Sequence, residues 1–168
     1  MPRHALAVLA LCLSMPLLAA SALDTLPLPD EFFADRARVH AIVTALEEQP
    51  LHDNAELARA ILLAHYEKDV DYIICGDVLG PLTKRDDLGP VLAQVIIASG
   101  DWVEGHPDRA GDIDAYTLAG LEGGVRAYRR LREAKPSIAP FGLMETLASE
   151  YDAGTLPAWN LAHPCRAG

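Results

Sequence analysis

Apolar residues recur at helical spacing along most of this chain, and they divide it into a small number of amphipathic segments separated by proline and glycine. The most continuous is Asn54 to Cys75, where apolar side chains cover nearly the whole circumference of a helix. Asp53 stands at an N-cap position with Glu56 three residues on, and Gly76 follows where a left-handed residue would close the helix. The pattern therefore predicts a central, mostly buried helix over 54–75, roughly 33 Å long at 1.5 Å per residue.

Four further helices follow from the same reading. Asp30 caps a first one reaching to about Gln49, with Phe32, Val39, Ile42 and Leu46 on one stripe, and Pro50 ends it. Pro90 opens a third, very apolar one that runs to Ser99-Gly100. Its β-branched run Val95-Ile96-Ile97 has no second strand pattern to pair with. A fourth extends from about Asp108 to Ala134, interrupted by Gly120, Gly123 and Gly124. Each glycine costs about 1 kcal/mol relative to alanine in a helix interior, so either the Gly120/Gly124 face packs closely or the helix breaks. A fifth runs from Pro140 to Gly154, with Phe141, Met144, Leu147 and Tyr151 in phase. Residues 155–168 hold Pro157 and Pro164 without periodicity and read as an extended tail. The predicted fold class is all-α: a compact orthogonal bundle of about five helices around helix 54–75.

The first residues change the picture of where this fold resides. Arg3, the apolar run Ala5 to Leu18 and the small-residue site Ala20-Ser21-Ala22 form an export signal over residues 1–22. What remains, 23–168, is one helical domain in the periplasm or outside the cell, entered through a polyproline-like lead-in at Leu26-Pro27-Leu28-Pro29. Cys12 leaves with the signal, so Cys75 and Cys165 are the two cysteines left in an oxidising compartment. They are expected to form a disulfide that pins the tail. The balance of 14 basic against 24 acidic residues becomes 13 against 24 once Arg3 is removed. Such a field disfavours nucleic acid and suits a basic protein partner.

Candidate chemistry is sparse. His65, Asp69 and Tyr72 fall at i, i+4 and i+7, so on a continuous helix they share one face, with Asp69 orienting His65 as a base and Tyr72 meeting a ligand. Glu104, His106, Asp108, Asp112 and Asp114 lie in the polar stretch Asp101 to Asp114, where carboxylates and an imidazole form a candidate set for a divalent cation, although the spacing matches no metal loop. His40, His52 and His163 have no local partners. The chain has no G-x-S-x-G, P-loop or dinucleotide fingerprint, and no cofactor is implied. As a small, acidic, helical, exported chain with one disulfide it resembles many periplasmic inhibitors, including immunity proteins that neutralise delivered toxins. That resemblance is one of type rather than of motif. The expected function is a non-catalytic binding or inhibitor protein; the alternative is a small hydrolase or metal-dependent enzyme using His65 and Asp69 or the 104–114 stretch.

Overall fold

The computed structural model describes residues 20–27 and 31–165, and these form an all-α bundle without strands. Of the expected export signal, residues 1–19 lie outside the described residues, as does the expected cap Asp30. Helix α1 spans Arg36–Glu48. It starts at Asp35, whose carboxylate accepts the amides of Ala37 and Arg38 and so satisfies two N–H groups that have no partner within the helix. Pro50 then turns the chain into α2, Ala55–Asp69.

Helix α2 is shorter than the predicted 54–75. It stops at Asp69, and residues 70–75 run on without helical structure, beginning with the extended backbone of Val70. Val70, Ile73 and Ile74 are β-branched and lose rotamer freedom in a helix, and tertiary bonds replace the ones given up. The Ile73 amide donates to the Tyr116 hydroxyl at 3.1 Å, and the Tyr72 hydroxyl donates to the Ile96 carbonyl at 3.3 Å. Gly76 does not close α2 but begins the single turn α3, Gly76–Leu79.

The centre of the bundle is held by α4, Gly89–Gly105, rather than by helix 54–75. Helix α4 is buried over most of its length, and it supplies Val91 and Val95 to one apolar cluster and Ile97 to the other. The first cluster unites α4 with Leu121, Val125, Tyr128 and Leu131 of α5 (Ile113–Ala134), Met144 and Leu147 of α6 (Gly142–Asp152) and Leu156 of α7 (Leu156–Ala162). The second gathers Val39, Ile42 and Leu46 of α1 and Leu62 and Tyr66 of α2. Each fully buried aliphatic side chain contributes about 1.5–3 kcal/mol, and α4 is the one helix that spends its burial on both clusters. It also extends to Gly105, so Asp101 to Glu104 are helical rather than loop.

The glycines of α5 decide how near α4 can come. Helix α5 is unbroken over 22 residues. A Cβ at Gly120 would lie 2.2 Å from the Ser99 hydroxyl and 2.7 Å from the Val95 carbonyl, and one at Gly124 would lie 2.4 Å from a Val95 methyl. Residue 120 thus faces 99 and 95 while 124 faces 95 and 91, so the helices are antiparallel, and close packing repays the glycines.

Both ends of the described chain are tied down. Leu23 is fully buried, its carbonyl accepts the Asn54 side-chain amide at 2.9 Å, and Asp24 meets His52 at 3.1 Å. The lead-in is therefore docked where it is described, rather than a free tether. At the other end, Cys75 and Cys165 are bridged, with S–S 2.01 Å and Cα atoms 5.1 Å apart. The predicted extended tail is instead α7, because Pro157 occupies the first turn of a helix, where its missing N–H costs nothing. Leu156 is buried, Trp159 packs against the first cluster, and buried Asn160 donates to the Asp114 carbonyl at 2.9 Å. Leu161 faces outward, 63% exposed.

Candidate functional site

The two clusters of candidate residues meet, although not as either was expected. His65 projects from α2 toward α4, where its Nε2 pairs with the Glu104 carboxylate, while Nδ1 lies 3.3 Å from Asp69. The ring stacks on Phe33 at 3.7 Å between centroids and is 14% exposed. With a carboxylate against each ring nitrogen and Phe33 on its face, His65 turns neither nitrogen to an open cleft and serves as a tie between α2 and α4. Tyr72 does not share its face, since the chain has left the helix before reaching it. Tyr72 instead meets the edge of Tyr116, and burial, with Glu67 nearby, pushes its hydroxyl up to about 12.

The remaining candidates of the polar stretch disperse. His106 is exposed, stacks on Trp102 at 4.3 Å and bonds the Trp102 carbonyl. Asp108 is exposed on a single 3-10 turn, Pro107–Arg109. Asp112 caps α5 through the Ala115 amide and pairs with Arg109 at 2.6 Å, which holds its carboxyl below the usual range. Asp114 engages Asn160 through its carbonyl. Among the described residues no three His, Cys, Asp or Glu side chains converge on a point that would hold a metal ion.

A different site emerges along α1. A cleft of about 1170 Å³ lies between α1, α4 and α5, floored by Val43, Ala98 and Ala119 and flanked by Trp102 and Tyr151. Two buried carboxylates anchor its ends. At one, Asp101 of α4 is 5% exposed; one oxygen takes the Arg36 guanidinium and the other lies 2.7 Å from His40 Nδ1. Burial alone would lower the Arg36 guanidinium, but Asp101 and the nearby Glu104 hold it above its ordinary value. At the other, Glu47 of α1 receives Arg126 of α5 in a two-pronged pair at 2.6 and 3.0 Å, which raises the Arg126 guanidinium. Gln94, fully buried beneath it, donates to the Val43 carbonyl.

His40 differs from His65 in one decisive respect. Nδ1 bonds a fixed, buried carboxylate, so in the neutral ring the proton sits on Nδ1 and the Nε2 lone pair is left over. The side chain is 67% exposed and lines the cleft. The arrangement accepts a hydrogen bond or a proton at a set position. Sequence reading missed this pair because His40 and Asp101 are 61 residues apart and only the antiparallel pairing of α1 with α4 brings them together.

The fold and cleft define a small all-helical protein with one disulfide and a mixed-charge groove. The chain matches no protein family, no characterised protein and no solved structure.

Proposed function

We propose that this is an exported, non-catalytic binding protein of the inhibitor type, which holds a basic protein partner such as a delivered toxin. The observation that carries this reading is the way the charges are spent. Arg36, Arg85, Arg109, Arg126, Arg129, Arg130 and Arg132 each pair with a carboxylate of the same chain. With 24 acidic residues against 14 basic ones, acids are left over that face outward and form no salt bridge among the described residues, among them Glu67, Asp71 and Asp86, while Glu48 and Glu56 have only the looser company of Arg130 and Arg59. An exposed surplus of one sign steers an oppositely charged partner and sharpens its choice. No helix among the described residues is long and apolar enough to cross a membrane. Export itself is read from residues 1–22, and fractionation together with N-terminal sequencing tests it, a mature chain starting near Leu23 being expected.

The binding test is capture by the immobilised protein from periplasmic extract and from mixtures containing toxins, at low and at moderate salt. The expected outcome is a basic protein retained at moderate salt and released at high salt. Capture of none at either salt, or of acidic proteins alone, overturns the proposal.

A second reading, a small hydrolase, has the His40–Asp101 pair in its favour, since a buried carboxylate orienting an imidazole toward a cleft is the arrangement of a general base. It would act through His40 in place of His65. Turnover of a chromogenic ester, phosphate or amide substrate that disappears in His40→Ala supports it, and activity unaffected by that substitution removes it.

A further inference from the structure

The groups lining the cleft are satisfied unevenly. Arg36, Arg126, Arg129 and Arg130 are each paired with a carboxylate of this chain. The hydrogen-bond acceptors are less occupied. Glu122 comes no nearer than 3.9 Å to Arg126, Glu48 is exposed and feels Arg130 without a hydrogen bond or salt bridge among the described residues, and His40 offers the Nε2 lone pair left by its bond to Asp101. Every cation in the groove is engaged while acceptors remain, so the groove is built for a donor that carries positive charge.

The spacing gives the size of that donor. His40, Thr44 and Glu48 stand at i, i+4 and i+8 on α1, one stripe facing the cleft. Eight residues of helix place His40 and Glu48 about 12 Å apart, the reach of about four residues of extended chain. Between them the floor of Val43, Ala98 and Ala119 is apolar, as the methylene stems of long cationic side chains require. We propose that the cleft between α1, α4 and α5 docks a short extended basic segment of the partner, its lysine or arginine head groups meeting Glu48 and Glu122 at one end and His40 Nε2 at the other. This rests on the basic-partner reading above and adds the place and form of contact.

The test uses acetylated, amidated pentalysine as the probe, titrated into the full-length mature protein at low salt and followed by amide chemical shifts. Two charge-reversed variants are compared: Glu48→Lys with Glu122→Lys in the cleft, and Asp71→Lys with Asp86→Lys, which change charge equally but lie outside it. Circular dichroism confirms that both are folded. The expected result is a set of shifts centred on Thr44, Ala98, Trp102 and Ala119, with affinity about tenfold weaker in the cleft variant and nearly unchanged in the other. Equal weakening in both variants, with shifts spread over the surface, overturns the cleft while leaving the basic-partner reading standing. Absence of binding at low salt overturns both.

Discussion

The carboxylate of Glu47 fills the space that a side chain at Gly123 would need. A Cβ there would lie 2.7 Å from Glu47 Oε1 and 2.8 Å from the Ala98 Cβ. A glycine of α5, a buried acid of α1 and an alanine of α4 thus share one point, and the floor of the cleft exists because none of the three is larger.

Gly120→Ala is therefore expected to destabilise by about 1–3 kcal/mol, since the added methyl meets the Val95 carbonyl and the Ser99 hydroxyl, and overpacking outweighs the gain in helix preference. Gly111→Ala is the matched control: nothing lies within 4 Å of its Cβ, so no loss is expected. Urea denaturation of both variants checks the contrast, and equal stability of the two would contradict the close contact.

Removing Arg126 leaves Glu47 charged and nearly buried. Arg126→Ala is expected to cost about 2–3 kcal/mol, the low side for a broken buried pair because Arg126 is 40% exposed and water in the cleft takes its place in part. Adding Glu47→Gln to Arg126→Ala recovers some of the loss. A double-mutant cycle by chemical denaturation measures the coupling, and strict additivity would show the pair to be without energetic weight.

Tyr66 is fully buried, yet its hydroxyl has no hydrogen-bond partner among the described residues. A buried hydroxyl without a partner is a desolvation cost, so Tyr66→Phe is expected to leave stability unchanged or raise it by up to about 1 kcal/mol. A thermal midpoint several degrees lower in the variant would refute this.

Stability is expected to fall in alkali. Burial raises the Tyr66 hydroxyl well above its ordinary range, and it raises Tyr72 from 10.0 to about 12. A raised value in the folded state means that between pH 10 and 12 the folded protein binds more protons than the unfolded one. The contribution is complete below pH 10 and is lost as pH climbs through 12. Tyrosine ultraviolet absorbance followed with circular dichroism checks it: ionisation of all five tyrosines near pH 10 with the helices intact would contradict the burial.

Cys165→Ser is expected to lower the thermal midpoint while leaving most helical signal intact. The bridge closes a separation of 90 residues, for which loop entropy gives up to about 4–5 kcal/mol. Because Leu156 and Asn160 hold α7 independently, proteolysis in the variant should begin beyond Ala162 rather than at Gly154. Intact mass with and without reduction and alkylation shows whether the bridge forms; Cys75 and Cys165 both found as free thiols in the purified protein would refute it.

What the sequence determined by itself was whatever depends on neighbours along the chain. Apolar periodicity set the all-α class and most of the helices, Pro50 and Pro90 marked an end and a start, and the two cysteines outside the N-terminal apolar run pointed to their bridge. The glycines of α5 announced a close contact without saying with what. Tertiary structure alone decided the rest. The apolar run 70–75 suits a helix or an extended segment equally, and Tyr116, Ile96 and Cys165 select the extended one. Pro157 reads as a breaker until Leu156 and Asn160 dock and make it a helix start. The cleft was invisible for the same reason: His40 with Asp101, and Glu47 with Arg126, are 61 and 79 residues apart. A pairing at that separation costs chain entropy that no local signal records, and only the packing of α1, α4 and α5 repays it.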